Sequence, residues 1–110
     1  MALTHADVRR LALALPEAYE VEHFDMASFR VNKKIFATLR DVPRMMVKLD
    51  PEDQRNLTAA HPGAIEPVPG TWGLRGSTLV WFDRLDEATV ASLIKLAWSG
   101  VAPPRLTGTP

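Results

Sequence analysis

The chain has 110 residues, 46% of them hydrophobic, with 13 lysines and arginines against 13 aspartates and glutamates and no cysteine. A chain of this length buries somewhat over about 60% of its unfolded surface in a single core, which excludes two-domain enzymes. The missing cysteines exclude disulfide frameworks, thiolate catalysis, Cys-ligated zinc and iron–sulfur clusters, and fit the cytosol.

No apolar run approaches the ~20 residues of a membrane span, and the opening residues lack the apolar stretch of a signal peptide, so the N-terminus is expected to be that of a mature cytoplasmic fold. A first helix begins after Thr4, which serves as N-cap with Asp7 as capping-box partner and with Leu3 and Val8 at staple spacing. Val8, Leu11, Ala12 and Leu15 give it one apolar face, and Pro16 ends it. Residues 17–25 are rich in carboxylates and read as an acidic connection.

From Ser28 the period changes to two. Phe29 and Val31, then Ile35, Ala37 and Leu39, then Met45, Val47 and Leu49 alternate with mostly polar neighbours, the pattern of three half-buried strands. Asn32-Lys33 supplies a two-residue turn and residues 40–43 the next connection, which makes an antiparallel meander. Asp50 then caps a short helix with Pro51 at its first position, expected to run to about Ala60 and to bury Leu57 and Ala60. Residues 65–68 form at most an edge strand because of Pro67 and Pro69, whereas residues 78–82 make a better strand with Leu79 and Trp81 on one face. Asp86 opens the last helix, whose face is Val90, Leu93, Ile94, Ala97 and Trp98 and whose cap is Gly100. The chain thus reads as one domain over residues 1–101 with a loose Pro/Gly/Thr-rich tail over 102–110. The order α-β-β-β-α-β-β-α predicts a two-layer α+β fold, an antiparallel sheet with helices on one face.

The zero net charge conceals an uneven distribution. Residues 26–48 hold six basic groups and one acidic group, while residues 1–25 hold two basic and five acidic and residues 49–69 one basic and four acidic. Strand parity places Arg30, Lys34, Arg40, Arg44 and Lys48 opposite the core, with Phe36, Thr38 and Met46 among them. Cations with an interleaved aromatic on an open sheet face suit phosphates and a stacked base, although Arg and Lys are also ordinary residues for any solvated face. Phe36 is the expected stacking residue.

Gly70-Thr71-Trp72-Gly73-Leu74-Arg75-Gly76 is neither a P-loop nor a dinucleotide fingerprint. Its glycines read as turn formers, and its functional alternative is a rigid loop offering Trp72 and Arg75 to a protein partner. Glu20, Glu22, His23 and Asp25 include an E-x-x-H spacing but no second histidine and no predicted helix, so neither a metal site nor any cofactor is expected. No catalytic motif occurs, and a pocket lined by His23, Trp72 or Trp98 would be needed for a small-molecule site.

Several segments, in order, resemble the MmcQ/YjbR (YjbR-like) family of small bacterial proteins. They are Leu13-Ala14-Leu15-Pro16-Glu17-Ala18, His23-Phe24 with Ser28-Phe29-Arg30-Val31, Lys34-Ile35-Phe36-Ala37, Lys48-Leu49-Asp50, Val68-Pro69-Gly70 with Trp72-Gly73, and Ala97-Trp98 before Ala102-Pro103. The resemblance implies an α+β fold similar to secretion-chaperone and CyaY/frataxin-like arrangements, and a DNA-binding role resting on wing-like hairpins. Asp25, Ala27, Ser77 and Pro104 depart from the family pattern. The expected function is therefore largely sequence-independent DNA binding by the basic strand face; the alternative is a protein-interaction or homodimerisation module using Trp72 and Arg75.

Overall fold

A computed structural model of the chain describes residues 3–23, 26–41 and 43–107, and in it Thr4 closes a capping box on helix α1 (His5–Leu13). The Thr4 hydroxyl accepts from the Asp7 amide at 3.3 Å, and the Asp7 carboxylate accepts from the Thr4 amide at 2.9 Å. That reciprocal pair satisfies donors that no helical carbonyl can reach. Val8 and Ala12 are fully buried beneath the helix.

Strands β1 (Tyr19–His23), β2 (Met26–Val31), β3 (Lys34–Leu39), β4 (Arg44–Lys48), β5 (Ile65–Pro67) and β6 (Ser77–Trp81) form one antiparallel sheet in the order β1-β2-β3-β4-β6-β5. The meander is β2 to β4. Asn32 and Lys33 turn the first hairpin with φ of 53° and 66°, the primed geometry that matches strand twist. Strand β5 lies at one edge, as its Pro67 requires.

Strand β1 corrects the reading of residues 17–25 as a connection. Tyr19 and Val21 alternate with Glu20 and Glu22, and the strand pairs only with β2. An edge strand with charge on one side hides its period from a search for apolar alternation.

Helix α2 (Pro51–Ala60) starts where the Asp50 carboxylate accepts from the Glu52 amide at 2.9 Å. Leu57 packs on the core but Ala60 is exposed, and the residue buried deepest is Gln54. After β5 comes a four-residue helix, α3 (Thr71–Leu74), which leads into β6. A single 3-10 turn at Phe82–Arg84 precedes α4 (Glu87–Val101). Asp86 caps α4 by accepting from the Thr89 amide at 2.8 Å, and all five residues of the expected face are buried. The helix continues through Gly100 to Val101.

Helices α1, α2 and α4 form one layer over Phe29, Val31, Ala37, Leu39, Met45, Val47 and Val80 of the sheet. Residues 104–107 of the expected loose tail instead form a helix, α5 (Pro104–Thr107). Leu106 packs against the core, and Arg105 donates to both Glu17 carboxylate oxygens at 2.6 and 2.8 Å. Nearby the Trp98 indole N–H donates to the Pro16 carbonyl at 3.1 Å. Residues 108–110 of the tail lie outside the described residues.

Candidate nucleic-acid interface

The face of the sheet away from the helical layer is set by a slip of one residue between β2 and β3. Phe29 pairs with Ala37, but the next step pairs Arg30 with Ile35, which leaves Phe36 as an extra residue in β3. Such a bulge lets two consecutive side chains lean to the same side. Phe36 is accordingly 0% exposed and belongs to the core beside Ala37. It is not the stacking residue that simple alternation predicts, and Ile35 takes its place on the open face beside Arg30.

Arg30, Lys33, Lys34, Ile35, Met46, Lys48, Trp72 and Ser77 line a groove of about 430 Å³ on that face. A smaller depression of about 180 Å³ adjoins it, sharing Met46, Trp72 and Ser77 and adding Arg40 and Val68. No carboxylate among the described residues lines either. Of the basic residues expected here, Arg30, Lys34, Arg40 and Lys48 are brought together, and the turn contributes Lys33 as well. Arg30 donates weakly to the Ser28 hydroxyl at 3.4 Å, and the buried Arg40 Nε meets no acceptor among the described residues. Arg44 does not join them. It stands at the other end of β4, paired across the ladder with Trp81, and approaches the Asp41 carboxylate at 3.4 Å.

Trp72 reaches the groove because α3 is seated tightly. A Cβ at Gly73 would stand 1.8 Å from the Val68 carbonyl oxygen, so no other residue fits without moving backbone. Gly76 combines a φ of +106° with an equally close approach to Leu49, whose amide donates to the Gly76 carbonyl at 2.9 Å. Gln54 completes the mount. Its side-chain amide lies within 3.0 Å of the Gly73 carbonyl, 3.1 Å of the Ser77 carbonyl and 3.0 Å of the Thr78 hydroxyl. The sequence offers one signal for Gln54, its position one turn before Leu57 on the inner side of α2. Trp72 is left 65% exposed and Leu74 80% exposed. Arg75 is exposed at the end of α3 and lines neither depression.

The other candidates disperse. Glu20 is engaged by Arg9 at 2.8 Å, and Asp25 lies outside the described residues. Trp98 is buried under the helical layer, on the opposite side of the sheet from Trp72. His5 packs at a tilt on the Phe82 ring with centroids 5.7 Å apart. The arginine fork holds the Glu17 carboxyl below its ordinary value, and the Thr4 amide does the same for Asp7. No helix among the described residues is long and apolar enough to cross a membrane.

The arrangement has relatives. A crystal structure of the Deinococcus radiodurans protein DR2400, which carries a DUF419 domain, superposes with a TM-score of 0.74 at 23% identity, covering 97% of this chain and 89% of that one. That likeness shows the fold. No curated protein matches the chain. The YjbR family model matches residues 13–99, a span that takes in the whole sheet, the basic groove, the glycine-rich mount of Trp72 and most of α4. With most of its length matched, the chain belongs to the YjbR family.

Proposed function

We propose that the protein binds nucleic acid through the basic face of its sheet, holding phosphates with Arg30, Lys33, Lys34, Arg40 and Lys48. The observation that carries this reading is a groove that, with its adjoining depression, gathers five cations and no carboxylate among the described residues, in a chain whose net charge is zero. Phosphate contacts are read through charge and not through base edges, so binding is largely independent of sequence. With no net positive charge to steer from a distance, affinity is modest and depends on the local patch.

The test is a fluorescence titration against duplex and single-stranded DNA at two salt concentrations. Each phosphate engaged adds roughly 0.9 to the salt slope on duplex and roughly 0.7 on a single strand. Lys34→Ala with Lys48→Ala should lower the slope by about two such increments. Failure to bind at low salt, or an affinity indifferent to the double variant, overturns the reading.

Leu74 favours a second reading. It stands 80% exposed on α3, a large apolar side chain in solvent of the kind that packs into protein interfaces. A homodimer or partner complex formed there would be lost on Leu74→Ala and would respond little to salt. Sedimentation at two salt concentrations distinguishes it.

A further inference from the structure

Across the open face the sheet presents a row that alternates aromatic, cationic and apolar side chains. Tyr19 of β1 pairs with Arg30, Arg30 pairs with Ile35, and Lys48 pairs with Ser77 beneath Trp72. With neighbouring strands about 4.8 Å apart, Tyr19 and Lys48 are separated by three spacings, or roughly 14 Å. Tyr19 and Trp72 are both solvent-exposed aromatics, at 39% and 65%. They therefore flank the cations from opposite ends.

Resting on the reading of this face as a phosphate-binding surface, we propose that its ligand is single-stranded DNA, with an unpaired base stacked on Trp72, a second over Tyr19, and the intervening backbone on Arg30, Lys34 and Lys48. Bases in a duplex hide their faces in the stack, so between the two forms of nucleic acid an exposed indole inside a basic groove favours a strand whose bases are free. The groove floor between the cations is Ile35 and Met46, which suits bases and not phosphates. Duplex reading by a helix needs one that projects into the major groove. Here α1, α2 and α4 lie on the far side of the sheet, and α3 has four residues. The choice of DNA follows from the lining. Among the described residues its one hydroxyl, on Ser77, belongs to a residue 4% exposed, so no neutral hydroxyl is placed to read a ribose 2′-hydroxyl while the cations are engaged by phosphates.

The experiment measures fluorescence anisotropy of a labelled twelve-nucleotide oligothymidine, the matching oligouridine and a twelve-base-pair duplex at one low salt concentration, with intrinsic tryptophan emission followed in parallel. The deoxy strand should bind at least about tenfold more tightly than the duplex and should quench emission. Trp72→Ala should weaken the strand by about 5- to 150-fold, the range expected for one stacked base, and should abolish the quenching. Trp72→Phe should restore most of the affinity, and duplex affinity should stay within about twofold throughout. Because the indole is mostly in solvent, circular dichroism of Trp72→Ala should match that of the parent. A duplex bound as tightly as the strand, a strand affinity indifferent to Trp72→Ala, or tighter binding of oligouridine overturns this proposal while leaving the basic-face reading intact. Absence of binding to all three overturns both.

Discussion

Two regions of the molecule treat their arginines in opposite ways. Around the helical layer, arginines of α1 and α5 are answered by carboxylates: Arg9 by Glu20 at 2.8 Å, Arg10 by Glu87 at 2.8 Å and Arg105 by Glu17 at 2.6 Å. On the open face of the sheet, Arg30, Lys33, Lys34, Arg40 and Lys48 surround a groove and its adjoining depression with no carboxylate among the described residues in their lining. Partners across exposed ion pairs add little stability, so these pairs neutralise charge more than they strengthen the fold. The groove leaves its cations available, which is what a surface for an anionic ligand requires.

The largest way to break this contrast acts on Trp72. Gly73→Ala places a methyl group 1.8 Å from the Val68 carbonyl oxygen, a clash with backbone that only a shift of α3 relieves. Overpacking of this kind costs about 1–3 kcal/mol, to be read from chemical denaturation, and any binding that depends on the indole should fall with it. An unchanged denaturation midpoint would show that α3 yields freely and that Trp72 is not rigidly presented.

A smaller effect sharpens the role of position over charge. Glu20→Gln frees Arg9 on the helical side of the sheet, adding an unpaired cation where no exposed aromatic stands among the described residues. Stability should change by less than about 1 kcal/mol, as for other exposed pairs. Affinity for a labelled DNA strand should stay within about twofold. A marked gain would mean that net charge, and not the groove, governs binding.

The smallest effect concerns acid. The Glu17 carboxyl is held below its ordinary value by hydrogen bonds from Arg105. A depressed carboxylate contributes its stability above the unfolded-state value and loses it as pH falls through the lower, folded one. Protection of the Leu106 and Thr107 amides, taken relative to unfolded-chain exchange at the same pH, should therefore fall below the ordinary carboxylate range, and Glu17→Gln should produce the same loss of protection at neutral pH. Exchange unaffected by either change would assign the docking of α5 to Leu106 alone.

Much of this was legible in the residues. Caps at Thr4, Asp50 and Asp86, the Asn32-Lys33 turn and the five-residue face of α4 are local features, and each fixes its element within a turn or so of chain. What stayed hidden depends on partners distant in sequence. The bulge at Phe36 is a slip against β2 that no side chain announces, and it exchanged the expected places of Ile35 and Phe36. Gln54 looks like any polar helical residue until the Gly73, Ser77 and Thr78 acceptors are folded against it. In sequence, Trp72 stands as a partner anchor and the sheet cations as a separate site. Their union in one groove required knowing that β4 and β6 are neighbours.

The bulge also separates two properties that a regular strand ties together. In uninterrupted β structure, giving the interior one more large side chain would turn every later residue over, and the hairpin that follows would re-aim its charges. Because Phe36 enters as a supernumerary residue, β3 adds a full phenyl ring to the interior while Ile35 keeps the outward aim that an unbroken ladder without it would give. Interior mass and surface aim can thus drift independently in this protein: residue 36 answers to packing alone, and the groove's cations can be tuned without reopening the core.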